Sequence, residues 1–230
     1  MRGTLIFITI ILCLWVGFAN GQDKNPNAVE IGKKTKEAEK ANSLFLAYQA
    51  AKFGRLHNSP DALIFAASIL KTIASDKVML DKQVEGGQVD AETKVNKGNL
   101  TADTFLKEAS MLAKKDRNLL GRIEAVSKMT PETKGALGGP KRATTEVKAY
   151  ATDVITVQFR GGENAVVGVS GDGDTDLDLY VYDENGNLVA SDTNGSDDCK
   201  VRFYPKRNGT FKIKVKNLGN VYNRYLLVTN

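Results

Sequence analysis

Residues 174–191 read DTDLDLYVYDENGNLVAS, and this stretch decides the fold of the C-terminal third. Leu177, Leu179 and Val181 alternate with aspartate or tyrosine residues, which is the period of a β-strand with one buried face. The turn sequence ENGN at residues 184–187 follows, and its Asn-Gly pair supplies the positive φ angles that a tight hairpin needs. A second β-rich run follows the turn. The stretch therefore predicts an antiparallel hairpin.

Further β-rich runs lie on both sides of this hairpin. The apolar period changes from helical to alternating at about Thr152, and short apolar runs separated by glycine and asparagine turns continue to the C-terminus. About seven short strands at this spacing are typical of an antiparallel sandwich. We therefore predict a C-terminal β-sandwich of about seven strands, of jelly-roll or immunoglobulin-like type, over residues 152–230.

Residues 22–130 predict a helical region. An apolar face that recurs at three- and four-residue steps predicts a first helix over about residues 28–53. Ser59 can accept a backbone N–H as the N-cap of a second helix, with Pro60 in its first position, that continues to about Ala74. A short loop joins the two helices, so together they form a helical hairpin.

A third apolar stripe predicts one further helix, capped by Thr101 and ending near Thr130. Residues 81–99 carry few large apolar side chains, so we expect a flexible connection before this helix. Glycines and a proline predict a linker over residues 131–151. The predicted fold class is α+β with separate domains, in which a helical hairpin and a third helix precede the β-sandwich.

The first residues indicate export. A short basic start is followed by an apolar run from Leu5 to Phe18 and then by small residues, which is the order of a secretory signal peptide over residues 1–21. A membrane anchor is the alternative, but the run is shorter than the roughly 20 residues needed to span a bilayer. No later segment is apolar enough to span one. We expect the mature chain in the periplasm, on the cell surface or outside the cell.

The charge distribution and the reactive side chains argue against two classes of function. The formal net charge is +5, but the lysines are scattered among acidic residues and not interleaved with aromatic ones, so nucleic-acid binding is not expected. The single histidine, His57, follows the first helix and suits a surface or capping role. Cys199 alternates with apolar residues and suits a small buried side chain. Without a metalloprotease, hydrolase or phosphate-binding motif, we expect no enzyme.

The densest charged feature is the acidic loop, residues 171–178, with the sequence GDGDTDLD. Carboxylates at two-residue spacing repel one another unless a cation or basic side chains offset their charge. Ca²⁺ takes about six to eight oxygen ligands and is the obvious cation, although the spacing is not that of an EF-hand. The alternative is a solvated acidic turn whose carboxylates pair with the lysines of residues 212–216. The candidate calcium ligands are Asp172, Asp174, Asp176 and Asp178.

Residues 174–191, together with GTFKIKV at 209–215 and YLLV at 225–228, resemble the bacterial pre-peptidase C-terminal domain family. The resemblance covers about residues 153–230. It implies a non-catalytic β-sandwich of exported proteins, with Asp176 and Asp178 as the motif carboxylates. Some relatives, such as the collagen-binding domains of clostridial collagenases, bind calcium and an extracellular polymer. In this chain no peptidase domain precedes the module, which leaves delivery of an attached enzyme in doubt.

Together these patterns predict an exported, non-catalytic binding protein. Its expected partners are another protein or an extracellular polymer, and Ca²⁺ is the only candidate cofactor. The alternative is an accessory or regulatory companion of a secreted peptidase or other hydrolase, since members of the resembled family accompany such enzymes.

Overall fold

A computed structural model describes residues 26–88, 100–131 and 139–230 of the chain. The predicted signal peptide, residues 1–21, lies outside the described residues, as do parts of the predicted flexible stretch and linker. The helices are α1 (Lys36–Leu56), α2 (Pro60–Thr72), α3 (Ala102–Ala113) and α4 (Arg117–Ser127). None of these four is long and apolar enough to cross a membrane. The strands are β1 (Asp76–Lys77), β2 (Lys82–Gly86), β3 (Lys141–Val147), β4 (Ala151–Phe159), β5 (Ala165–Ser170), β6 (Leu177–Tyr182), β7 (Leu188–Asp192), β8 (Asp198–Phe203), β9 (Gly209–Asn217) and β10 (Asn223–Thr229).

The strands form two five-stranded sheets that pack face to face. The helix-side sheet has the order β1-β3-β10-β5-β8, and the outer sheet has the order β2-β4-β9-β6-β7. Neighbouring strands are antiparallel except β1, which runs parallel to β3. Leu177, Leu179 and Val181 point into the core between the sheets, as their alternation predicts. The α+β class and the β-sandwich are confirmed.

The helices cover the second face of the helix-side sheet. Phe45 of α1 lies so close to Gly168 of β5 that an added Cβ would be 2.7 Å from its ring. Val166, Leu226 and Val228 of the sheet join the apolar cluster of the helices. Since β5 also faces the core between the sheets, all of its residues are buried. Helices and sandwich therefore share one apolar layer.

Two of the predicted helix starts are confirmed by their caps. The Ser59 hydroxyl accepts from the Ala62 N–H at 3.3 Å, and the Thr101 hydroxyl accepts from the Thr104 N–H at 3.2 Å. The predicted third helix is wrong in one respect, because it is two helices. Lys114, which follows α3, has a φ of 53°, and this left-handed backbone conformation breaks the helical path. The Asp116 carboxylate then caps α4.

Two predicted connections contain strands, and the structure corrects both predictions. The predicted flexible stretch 81–99 contains β2, which pairs with β4, and the predicted linker 131–151 contains β3, which pairs with β10. Both strands carry mostly polar or charged residues, so their sequences lack a clear apolar alternation. Pairing with strands that are distant in sequence, and not the local sequence pattern, determines the strand conformation of these residues. Residues 151–230 hold the predicted seven strands, β4 to β10, and β1, β2 and β3 from the preceding segments bring each sheet to five described strands.

An N-terminal strap, residues 27–33, crosses the end of the sandwich. The Asn27 N–H donates to Asp183 at 2.7 Å, and the Arg207 N–H donates to the Asn27 side-chain oxygen at 3.0 Å. At the other end of the strap, the Asn164 N–H donates to the Lys33 carbonyl at 2.8 Å. Asn27 is fully buried. The strap is thus part of the folded structure.

Strand β2 supplies a cation to a buried carboxylate. Lys82 Nζ lies 3.1 Å from Asp153 Oδ2, and the Tyr225 hydroxyl donates to the same oxygen at 2.7 Å. The Asp153 side chain is fully buried. Burial raises the pKa of Asp153, while the hydrogen bonds from Tyr225 and Lys82 act in the opposite direction. The carboxylate therefore depends on Lys82 to remain charged inside the sandwich.

We predict that Lys82→Met lowers the free energy of unfolding by about 3 kcal/mol at neutral pH, because it leaves Asp153 without its cation. A carboxyl group whose pKa is raised by folding favours the folded state at low pH, and this contribution is lost as the pH rises through the folded-state pKa. The loss in Lys82→Met should therefore shrink under acidic conditions. Urea unfolding at both pH values measures it.

The control is Lys214→Met, which breaks the exposed pair between Lys214 and Glu85. Exposed pairs contribute less than about 1 kcal/mol, so this variant should unfold almost like the parent protein. Equal losses in the two variants would contradict the role assigned to Lys82.

Candidate functional site

A cleft of about 800 Å³ lies between α1 and the outward face of the helix-side sheet. This volume is in the range of ordinary ligand sites. The C-terminal half of α1 forms one wall, β3 and the start of β10 form the floor, and the start of the acidic loop forms the opposite wall. The lining comprises Tyr48, Ala51, Lys52, Arg55, Leu56, Leu100, Thr144, Thr145, Glu146, Ser170, Gly171, Asp172, Gly173, Tyr222 and Arg224.

Lys52 joins α1 to the acidic side of the cleft. Its ammonium group bonds to Asp197 and lies 3.2 Å from Asp198 Oδ2. Burial opposes the positive charge, but the hydrogen bonds and negative charges of Asp197 and Asp198 hold the pKa of Lys52 above its ordinary value. Lys52 therefore stays charged and offsets two carboxylates that the sequence places side by side.

Two further side chains of α1 are held in fixed positions. Arg55 makes a two-pronged contact with Glu108 of α3, with both N–O distances at 2.8 Å, and its guanidinium lies 5.0 Å from the centre of the Phe105 ring. The Tyr48 hydroxyl accepts from Arg142 of β3 at 2.8 Å. Burial raises the pKa of Tyr48, so the phenol stays neutral. The helix wall of the cleft is therefore preorganised.

Most of the acidic loop is held by hydrogen bonds within the protein itself. Asp172 accepts from the Arg224 backbone N–H at 3.2 Å, and the Gly173 N–H donates to Asp197. Asp178 is buried, accepts from the Tyr180 hydroxyl at 3.0 Å and lies opposite Lys216 in the pairing of β6 with β9. Strand β6, which carries Asp178, and strand β9, which carries the lysines of residues 212–216, are thus neighbours, as pairing between these carboxylates and lysines requires.

Asp176 is the exception. Its Oδ1 is buried and has no hydrogen-bond partner among the described residues. Burial raises the pKa of Asp176, and the neighbouring charges of Asp178 and Asp197 raise it further. Asp174, in contrast, is exposed. Within residues 26–88, 100–131 and 139–230, no three acidic, histidine or cysteine side chains are grouped closely enough to hold a metal ion.

The structure therefore does not gather the four candidate calcium ligands around one point. Calcium binding stays a prediction, and Asp176 is the candidate whose surroundings most favour a cation. Sequence reasoning missed Lys52 and Asp197, because their contact joins residues 145 positions apart. The adjacent pair Asp197-Asp198 was the available signal, since two neighbouring carboxylates need an opposite charge nearby.

The two residues considered for chemistry lie in inert surroundings. Cys199 is fully buried, its thiol donates to the Leu177 carbonyl at 2.9 Å, and burial together with nearby aspartates raises its pKa to about 12. His57 caps the end of α1, is exposed, and its ring centre lies 4.3 Å from that of Phe53. The predicted buried cysteine and capping histidine are confirmed.

Comparisons with known proteins give likeness to solved folds only. No protein-family model matches the chain, and no curated protein matches it. Similar solved structures include the Yersinia pseudotuberculosis-derived mitogen, with 12% identity over 41% of this chain and 86% of that chain and a TM-score of 0.35. The Aeromonas hydrophila periplasmic inhibitor of g-type lysozyme has 13% identity over 43% of this chain and 91% of that chain, with a TM-score of 0.32.

A third similar structure is the pre-peptidase C-terminal domain of a Bacillus anthracis collagenase. It has 16% identity over 42% of this chain and 84% of that chain, with a TM-score of 0.24. Membership of that family stays a prediction at these values. The function of the chain is therefore argued from its own side chains.

We predict that millimolar Ca²⁺ raises the melting temperature of the full chain, because an ion that binds only the folded state stabilises it. The rise should vanish in the double variant Asp174→Asn/Asp176→Asn. Differential scanning fluorimetry with equal concentrations of Mg²⁺ separates calcium binding from ionic strength. Asp81→Asn, an exposed carboxylate on another segment, controls for the loss of charge. An unchanged melting curve would rule out calcium as a ligand of the acidic loop.

We also predict that Cys199 does not react with a thiol reagent in the folded protein at mildly alkaline pH, because the thiol is buried and protonated. A chain that starts after residue 21 has Cys199 as its sole cysteine, so the measurement has one site. Mass spectrometry should show one modification after denaturation and none before it. Rapid labelling of the folded protein would contradict the buried position.

Proposed function

We propose that this chain is an exported, non-catalytic binding protein whose ligand, a protein or an extracellular polymer, occupies the cleft between α1 and the helix-side sheet. The preorganised cleft is the observation that carries the proposal. Its lining combines two tyrosines, two leucines, hydroxyl side chains and ion-paired cations, which is a mixed surface suited to a ligand with both polar and apolar groups.

The chemistry of the lining favours binding over catalysis. The cleft is lined by no histidine and no cysteine among the described residues. The Ser170 hydroxyl donates to Asp198 at 2.7 Å, and Asp198 in turn contacts the charged Lys52. The Asp198 carboxylate is thus already engaged by two donors, the Ser170 hydroxyl and the Lys52 ammonium group. Among the described residues, the lining offers Ser170 no histidine that could act as its general base.

Support for export comes from the amino-acid sequence. The basic, apolar and small-residue order of residues 1–21 is that of a secretory signal peptide. The absence of a disulfide partner for Cys199 in the mature sequence is compatible with export, since the fold has a large apolar core between its sheets. The proposed ligand is accordingly one that an envelope or extracellular protein would meet.

The test is retention of envelope proteins, cell-wall polymers and soluble polysaccharides on the immobilised full chain, with and without Ca²⁺. We expect at least one fraction to be retained. Leu56→Glu should weaken that retention about tenfold or more, because Leu56 lines the cleft, is 74% exposed and would be covered by a ligand.

The matched control is Leu46→Glu, an exposed leucine of the same helix that lies outside the cleft lining. This variant should bind like the parent protein. Retention of no fraction in either calcium state, or equal losses in the two leucine variants, would overturn the proposal. A peptidase or other hydrolase in the retained fraction, with altered activity on mixing, would instead identify the protein as an accessory factor.

A further inference from the structure

Strand β3 has an edge that is only partly covered. On one side it pairs with β10 along its whole length. On the other side β1 pairs only with Lys141 and Arg142, and the last contact is the Val78 N–H, which donates to the Arg142 carbonyl at 3.0 Å. After Val78 the chain leaves β3. The remainder of this edge thus has no neighbouring strand among the described residues.

The direction of the backbone groups follows from the alternation along β3. The carbonyls of Pro140 and Arg142 point to the β1 side, since they accept from Asp76 and Val78. In an antiparallel pair every second residue faces the same side, so Thr144 and Glu146 also present their backbone groups there. The Glu146 carbonyl agrees with this, because it accepts from Lys82 Nζ at 2.8 Å.

Three strand groups remain uncovered on this edge: the N–H and the carbonyl of Thr144, and the N–H of Glu146. No described residue pairs with them. Both residues are exposed, and both line the cleft. An exposed strand edge with free N–H and carbonyl groups is a template for a further strand.

We propose that the cleft binds an extended polypeptide segment of a partner protein, which adds to the free edge of β3. This inference rests on the proposed function and names its ligand class. Alternating N–H and carbonyl groups at strand spacing match an extended peptide backbone, which offers the same groups at the same spacing. Leu56 and Leu100 line the same cleft and offer an apolar contact to a side chain of that segment.

The length of the free edge decides between a short segment and a second copy of this chain. Val78 closes the edge on one side of Thr144, and the Lys82 ammonium closes it beyond Glu146. Continuation of the whole sheet into a second molecule needs a longer open edge. A linear segment that crosses the cleft needs only a few paired residues, with the cleft walls contacting its side chains.

The test uses a phage-displayed library of random linear peptides selected on the immobilised full chain. We expect peptides to be enriched, and Thr144→Pro to weaken the best of them about tenfold, the effect of losing one backbone hydrogen bond. Proline fits at this position because the Thr144 N–H faces away from β10, so no bond within the sheet is lost. Thr144→Ala keeps the N–H and loses only the side-chain hydroxyl and methyl groups, so it should bind the peptide more tightly than Thr144→Pro.

A second measurement does not depend on the stability of a variant. N-methylation of single backbone amides of the enriched peptide should abolish binding at alternate positions only, because only every second amide faces β3. Equal effects at successive positions, or equal affinities of Thr144→Pro and Thr144→Ala, would overturn the inference. A selection that enriches no peptide would overturn it as well.

The outcomes also separate this inference from the proposed function. If Leu56→Glu no longer retains the ligand while Thr144→Pro still does, the ligand binds in the cleft but does not pair with the β3 edge. Retention of a polysaccharide and of no protein would likewise support the cleft as a binding site and contradict peptide pairing with the β3 edge. A dimer of the full chain in light scattering that Thr144→Pro dissociates would place a second copy on the edge and contradict the proposed partner.

Discussion

Burial of the helix-side sheet on both faces is the constraint on which the rest of this structure depends. The sheet already packs against the outer sheet, and α1 then covers its second face through contacts such as Phe45 against Gly168. Only glycine at this position lets the helix approach so closely, because any Cβ would overlap the phenylalanine ring. The cleft exists because this cover is incomplete: the later residues of α1, from Tyr48 to Leu56, line an open space above β3.

Local sequence signals predicted the parts of the fold that local interactions determine. The helix caps Ser59 and Thr101 and the hairpin around Gly186, whose φ is 84°, were foreseeable because a few neighbouring residues decide them. Strand β5, with the sequence AVVGVS, has no alternation of apolar and polar side chains. A strand without polar alternation is typical of a sheet that is covered on both faces, so it indicated the contact with the helices.

Features that depend on distant contacts were not predictable in the same way. Strand β2 reads as a polar connection, and only its pairing with β4 and the contact of Lys82 with Asp153 give it a place in the sandwich. The cleft likewise combines an N-terminal helix with loops more than 100 residues later. The aspartates at positions 172, 174, 176 and 178 were identified as a candidate calcium site. The cation that contacts the nearby Asp197 and Asp198, Lys52, comes from the helical layer.

The same contact explains how the chain tolerates its dense negative charge. A run of aspartates at a turn is unfavourable when the groups are brought together in a folded protein, and Lys52 relieves part of this repulsion at Asp197 and Asp198. Asp176 is not one of the two carboxylates that Lys52 contacts, and its pKa is raised by burial and by the neighbouring charges of Asp178 and Asp197. The helical layer and the acidic loop are therefore coupled electrostatically as well as by apolar packing.

The N-terminal strap, residues 27–33, and the C-terminal residue lie at the opposite end of β5 from the cleft lining at Ser170. Lys33 of the strap and the C-terminal Asn230 both bond to Asn164, just before β5 begins, whereas the cleft starts at Ser170, where β5 ends. Six residues of extended strand separate these points by about 20 Å. A tether fixed near either residue, on a cell surface or on a sensor chip, would therefore attach to the molecule about 20 Å along β5 from the cleft lining at Ser170.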